Sequence, residues 1–291
     1  MSEYLTTTEL AQLLRIKKRK VYDLAASGAI PCSRAMGKLL FPTQAVKAWI
    51  AENSTGGGRL ETVQRPNVLV GSHDPLLDWA IRESRCGMAT FFDGSLDGLA
   101  RYARGEGIAA GLHVFDAAAR DWNVPAIRDQ FGYDPVVLVE WAWRARGLIV
   151  DPAGTTRIKG IRDLRGLRVA PRQPEAGTQV LFLQLLADER IDVNEMHFLS
   201  PARNETDAAL AVLEGKADAA FGLKILAAQY RLGFVPVVDE RFDLLVDRRA
   251  WFEPPMQTLL DFCRAAPFTT RLGELEGYDA SGLGRVHFNG P

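Results

Sequence analysis

Three hydroxyl residues, Ser72, Ser95 and Thr178, stand at corresponding places in three strand-turn-helix stretches, and Arg172 leaves the strand of the third. The stretches read "NVLVGSHDPLLDWAI", "MATFFDGSLDGLARYARGE" and "LRVAPRQPEAGTQVLFLQLLAD". Asp74-Pro75 caps the first helix, Ser95 is the expected N-cap of the second, and Thr178 opens the third. Helix N-termini present unpaired N–H groups and a partial positive charge, and a Ser or Thr hydroxyl beside them adds a donor. Several such ends that converge form an anion cradle needing little formal charge. Singly, Ser95 and Thr178 read as ordinary N-caps; the repetition in three units points to a shared site. Arg172 is either a surface arginine or a charge-assisted contact to an oxyanion. His113, after "IAAGLHV", reads first as a buried, hydrogen-bonded histidine and second as a ligand contact.

The elements that must position these residues alternate strand and helix from Asn67 onward, with "IAAGLHVFD" and "ADAAFGL" as further buried strands. Alternation of this kind predicts an α/β domain with parallel sheets, whose ligands sit beyond the carboxyl ends of the strands. The C-terminal "EGYDASGLGRVHFNGP" is glycine-rich and reads as a surface tail or a return segment packed on the first lobe.

A different chemistry sits at the N-terminus. Residues 1–58 hold eight Lys/Arg against four Asp/Glu, and the remainder holds 27 against 32, within a chain of net charge −1. A basic head on an acidic body points to a nucleic-acid-binding module. In the head, "TTTEL" offers a capping box between Thr6 and Glu9, with Leu10, Leu13 and Leu14 as one apolar face. A second helix begins near Lys18 and ends at Ser27-Gly28, with Val21, Leu24 and Ala25 inward and Arg19, Lys20 and Asp23 outward. Two strands around Gly37-Lys38 form a wing, and "TQAVKAWIAE" starts a third helix capped by Thr43, with Val46, Trp49 and Ile50 in its core. In a helix-turn-helix the second helix enters the major groove, so Arg19 and Lys20 are the candidates for base edges and Lys17, Lys18, Arg34 and Lys38 for phosphates.

Residues 4–52 resemble the small winged helix-turn-helix of the excisionase and mercury-regulator type, through "T-x-E-L-A-x-L-L", "K-R-K-V-Y-D-L", "G-A-I-P" and a Gly-Lys wing followed by "FP-T". Most of residues 67–250 resembles the cytoplasmic periplasmic-binding-protein-like domain related to molybdate- and tungstate-binding proteins, through "GSHDPLLD", "GSLDGLARYARGE", "IAAGLHVFD", "APRQPEAGT" and "LAVLEGKADAAFGL". That resemblance implies two α/β lobes with an oxyanion between them, contacted by Ser72, Ser95, Arg172 and Thr178. The family more often shows "P-G-S-G-T-R" where this chain has "PEAGTQ", so Glu175 brings negative charge near an anion unless it turns outward, and a larger or organic anion stays open.

The expected fold class is therefore α/β: a small N-terminal winged helix-turn-helix plus a two-lobed type II periplasmic-binding-protein-like sensor domain. The expected boundaries are 1–53 for the DNA-binding domain, 54–66 for a glycine-rich linker and 67–291 for the sensor. The expected function is a one-component transcriptional regulator, with a double-stranded operator and an oxyanion effector, molybdate or tungstate, as partners. A homodimer reading two half-sites is the natural arrangement. Alternatives are a regulator sensing an organic anion and an enzyme on the same fold, although P-loop, G-x-G-x-x-G, H-E-x-x-H and G-x-S-x-G motifs are missing. Cys32, Cys86 and Cys263 lack metal or redox spacing and read as small buried hydrophobes, and no cofactor or metal is expected. No apolar run is long enough to span a bilayer and the N-terminus lacks a signal-peptide layout, so the expected location is the cytoplasm, with no membrane contact.

Overall fold

The computed structural model describes residues 3–35, 37–52 and 65–291. The chain divides into two compact units, Met1–Gln64 and Arg65–Pro291. The division falls inside the segment 54–66 read as a linker, of which residues 54–64 lie outside the described ones.

The first unit contains β1 (Tyr4–Thr6), α1 (Thr7–Leu13), α2 (Lys18–Ala26), β2 (Ser33–Ala35), β3 (Lys38–Pro42) and α3 (Thr43–Glu52). The capping box forms: Thr6 Oγ1 accepts from the Glu9 N–H at 3.3 Å and Glu9 Oε2 accepts from the Thr6 N–H at 2.7 Å. That satisfies two groups otherwise left open at the helix start. Leu10, Val21, Phe41 and Val46 are fully buried in the small core, with Leu24, Trp49 and Ile50 packed against it. The two helices and the β2–β3 hairpin match expectation. β1 does not: "YLT" pairs antiparallel with β3, giving a three-stranded sheet of order β1-β3-β2.

The second unit begins with β4 (Val68–Gly71), α4 (Pro75–Ser84), β5 (Ala89–Phe92), α5 (Ser95–Ala103) and β6 (Ala109–Leu112). A two-stranded hairpin, β7 (Phe115–Asp116) and β8 (Asp121–Trp122), then leads to α6 (Val124–Phe131) and the long β9 (Val136–Val150). Next come β10 (Arg168–Ala170), α7 (Gly177–Asp188), β11 (His197–Phe198), α8 (Glu205–Leu213), β12 (Ala219–Leu223), α9 (Lys224–Gln229) and β13 (Gly233–Asp247). Helices α10 (Arg248–Trp251), α11 (Pro254–Cys263) and α12 (Ala266–Gly273) precede two short strands, β14 (Tyr278–Asp279) and β15 (Val286–Asn289).

The main sheet runs β11-β10-β12-β9-β13-β6-β4-β5. Its two ends are parallel, β4 with β5 and β6, and β10 with β11 and β12, as alternation predicts. Its middle is not. β9 and β13, 15 residues each, run antiparallel along their length and join the two parallel halves, which are the two lobes. The C-terminal segment is the return form of the two readings, because β14 and β15 both pair with β9. Cys86 and Cys263 are buried, whereas Cys32 is only half-buried, contrary to the reading of all three as core. Among the described residues no helix is long and apolar enough to cross a membrane.

Candidate functional site

The end of β4 and the first turn of α5 approach closely because Gly98 allows it, since a Cβ there would run into the Gly71 Cα, and Gly71 in turn lies close against β6. Gly71 has φ +101°, and a Cβ there would run into the Gly111 carbonyl, so any other residue is strained and blocked. The close approach sets Ser72 Oγ 2.8 Å from Ser95 Oγ, and Ser95 Oγ also accepts the His113 N–H at 3.1 Å. All three residues are buried. Ser95 is not the N-cap: that position is Gly94, with no side-chain cap bond, and Ser95 is the first helical residue. Its hydroxyl is thereby turned toward Ser72 and His113 instead of back onto its own helix.

From the other lobe, α7 presents a second N-terminus. Its N-cap is Ala176, again with no side-chain cap bond, so Thr178 is a first-turn residue. By contrast, α4 and α8 are capped by Asp74 and Asn204. The two uncapped ends face each other at short range. A Cβ on Gly177 would lie 3.0 Å from Ser95 Oγ and 2.9 Å from His113 Cε1, so a glycine is what lets the lobes meet here. Two positive helix ends brought together repel unless something negative lies between or beside them.

A cavity of about 440 Å³ opens beside this junction, lined among others by Ser72, His113, Arg172 and Thr178. Four of the five expected ligand residues therefore line one space, and the fifth, Ser95, is hydrogen-bonded to Ser72 behind it. Two of them are already engaged. Thr178 Oγ1 donates to Glu205 Oε1 at 2.7 Å, so its hydroxyl proton is committed and its backbone N–H is what remains for an anion. Arg172 donates from Nε and Nη2 to Gln173 Oε1 and to the carbonyls of Ala202 and Arg203, and its Nη1 lies 4.0 Å from Glu205. Glu175 is exposed and does not line the cavity, so its charge turns outward.

Glu205 was not legible as a site residue. It opens α8, behind the Asn204 cap in "ARNETDAAL", a fourth strand-turn-helix unit whose Asn-x-x-Asp cap was the available signal. Burial alone would raise its pKa, but Arg146, at 2.9 Å, and Arg172 outweigh that and hold it at about 2. Asp93, His73 and Arg203 also line the cavity.

Behind the cavity lies a buried ionic chain carried by the middle of the β9–β13 ribbon. Arg144 donates to Asp74 at 2.9 Å and to Glu240, and Arg146 donates to Glu240 at 2.6 Å and lies 2.9 Å from Glu205. Trp141 Nε1 and the Tyr278 hydroxyl also donate to Asp74, at 3.0 and 2.7 Å. The chain links the first lobe, through Asp74, to the second, through Glu205.

In the first unit Lys17, Lys18, Arg19 and Lys20 are all exposed around the start of α2, and Arg34 and Lys38 are exposed on the β2–β3 hairpin. No ion pair among the described residues holds any of the six. The turn before α2 places Arg15 at φ +52°, and helices α1 and α2 pack on each other through Leu10, Val21 and Ala25. An exposed basic helix start with a basic hairpin behind it is the geometry by which a helix-turn-helix meets a duplex.

Fold and sites together define a two-unit protein, a helix-turn-helix followed by a two-lobed domain with an interlobe cleft. The chain belongs to the PBP superfamily, whose domain model matches residues 79–264. A helix-turn-helix domain model matches residues 4–54. The combination is that of a ligand-responsive DNA-binding regulator, and it points away from an enzyme. The chain is similar to the uncharacterized protein YvgK of Bacillus subtilis (strain 168), 26% identical over 304 residues, covering 97% of this chain and 96% of that one. It is also 30% identical over 79 residues to the uncharacterized protein in the ferredoxin 2Fe-2S gene 5′ region of Clostridium pasteurianum, covering 27% and 70% of the two chains. The ancestral amino acid-binding protein AncCDT-1, a precursor of cyclohexadienyl dehydratase, shares the fold at a TM-score of 0.50 with 13% identity, over 72% of this chain and 93% of that one.

Proposed function

We propose that this protein is a cytoplasmic one-component transcriptional regulator whose operator affinity is set by a small oxyanion, molybdate or tungstate, bound in the interlobe cleft. The single observation that carries the anion is the meeting of two helix N-termini, α5 and α7, neither capped by a side chain, around the Ser72–Ser95 hydroxyl pair. Backbone N–H groups of both helices, the Ser72 hydroxyl held by Ser95 Oγ, and Arg172 supply donors from both lobes, so an anion binds the closed cleft better than an open one. That difference biases the equilibrium. Read through a homodimer on two half-sites, coupling on the order of 1–3 kcal/mol changes operator affinity about 5- to 150-fold.

A second reading, a small organic anion that also carries a positive group, is favoured by Glu205 and Asp93 in the same wall and by a cavity of about 440 Å³. Thermal unfolding of the full chain against molybdate, tungstate, sulfate, phosphate and amino acids separates the two. A ligand at about 100 times its dissociation constant stabilises by roughly 2.7 kcal/mol. We expect molybdate or tungstate to raise Tm selectively, and Ser95→Ala to weaken that ligand by about 2- to 10-fold, the loss of the one hydrogen bond by which Ser95 orients the Ser72 hydroxyl. A response to amino acids alone establishes the second reading. Unchanged oxyanion affinity in Ser95→Ala removes the serine pair from the site.

A further inference from the structure

His113 stands where the cleft meets the buried ionic chain. Its backbone N–H donates to Ser95 Oγ, its ring stacks on Phe242 with centroids 6.0 Å apart, and its Cε1 edge faces Gly177 at the α7 N-terminus. Its Nδ1 lies 3.1 Å from Glu240 Oε2. The contact is a close ion-pair approach outside hydrogen-bond geometry, since Nδ1 has no hydrogen-bond partner; an ionised carboxylate only accepts, so a ring nitrogen brought into line with it carries its proton. In the neutral ring Nε2 is then a bare lone pair, on a residue that lines the cavity.

We propose that His113 couples anion binding to proton uptake: the ligand binds with one proton added to His113 Nε2, and the imidazolium bridges Glu240 and the bound anion. The proton comes from solvent and returns to it when the ligand leaves. The inference rests on the anion reading of the cleft.

The groups around the ring fix the sign. Glu240 on β13 favours the imidazolium, while Arg144 and Arg146 on β9 oppose it; Arg172, Glu205, Asp93, Arg203 and His73 line the cavity it borders. Burial dominates and pushes His113 below the usual histidine value, with Glu240 pulling it partly back. Without ligand the ring is therefore neutral near neutral pH. A bound dianion in the cavity that His113 lines adds a negative charge beside the ring and raises its pKa. Linkage then makes affinity flat below the ligand-free pKa. Affinity falls by up to tenfold per pH unit between the ligand-free and ligand-bound values and is flat again above both.

The test is calorimetry of molybdate and tungstate binding to the full chain between about pH 6 and 8, in two buffers of different ionisation enthalpy. Both ions are fully deprotonated in that range, so uptake reports the protein. We expect close to one proton taken up per ion for the wild type and for His197→Gln, whose ring is exposed on β11 away from the cavity, and close to none for His113→Gln. The ring ¹⁵N spectrum of the wild type gives a second measure independent of any variant: one imidazole becomes an imidazolium as molybdate saturates. Binding without buffer dependence, or uptake retained in His113→Gln, overturns the coupling and leaves the anion site standing. No binding of either ion overturns the oxyanion reading and the coupling with it.

Discussion

Glu240→Ala lowers the stability of the unit Arg65–Pro291 by about 3–5 kcal/mol, the usual cost of removing one partner from a buried ion pair. Glu240 is fully buried and receives Arg144 on one oxygen and Arg146 on both. Without it Arg144 keeps Asp74 and Arg146 keeps Glu205, but two interior guanidiniums share less negative charge. Glu240→Gln retains the shape and removes the charge, so it too is expected to lose stability. Urea unfolding followed by tryptophan fluorescence checks both, since all of the protein's tryptophans but Trp49 lie in this unit. A loss under about 1 kcal/mol in both variants contradicts the account of the ionic chain. The chain also predicts an acid limit. Burial would raise the pKa of Glu240, but Arg144, Arg146 and His113 hold it well below the usual carboxylate range, and Glu205 is held at about 2. A depressed carboxylate contributes stability that is present above its unfolded pKa and is lost as pH falls through its folded one. The loss therefore belongs below the ordinary carboxylate range.

Arg19→Ala combined with Lys20→Ala abolishes specific DNA binding and leaves cleft affinity unchanged. Each side chain that reads a base edge is worth about 1–3 kcal/mol of discrimination, so the pair removes about 30-fold to 10⁴-fold. Both residues are exposed in the first turn of α2, whose packing runs through Val21 and Ala25, so the fold of the first unit survives. Removing Lys17 or Lys18 instead weakens all sequences alike and reduces the salt slope by about one. Fluorescence anisotropy on an operator selected from random duplex DNA measures both effects. Specific binding that persists in the Arg19/Lys20 variant removes α2 from the major groove.

The helices and wing of the first unit were legible because their signals are local: a capping box in "TTTEL", a glycine stop at Gly28, apolar spacing between. β1 was not, because three residues become a strand only by pairing with β3, 34 to 38 positions away in sequence. The central ribbon was lost for a different reason. Glu140, Arg144 and Arg146 in β9, and Glu240, Arg241 and Asp243 in β13, are buried, yet charges at such density read as surface. Their burial is made tolerable by pairing across strands that no spacing rule reveals. For the site, Ser72, Arg172, Thr178 and His113 converge on one cavity as the strand-end rule predicts. The error lay in hydroxyl orientation: Ser95 faces Ser72 instead of capping, and Thr178 donates to Glu205, a partner 27 residues away.

The central claim is that occupancy of the cleft changes operator affinity, and operator anisotropy of the full chain at one fixed salt concentration, with and without molybdate or tungstate, tests it most directly. Saturation is verified in parallel by the rise in Tm. A shift in operator dissociation constant of about 5- to 150-fold, in either direction, is the predicted result. Identical operator affinity for the empty and the saturated protein contradicts the account, because a ligand bound equally well in both states shifts no equilibrium.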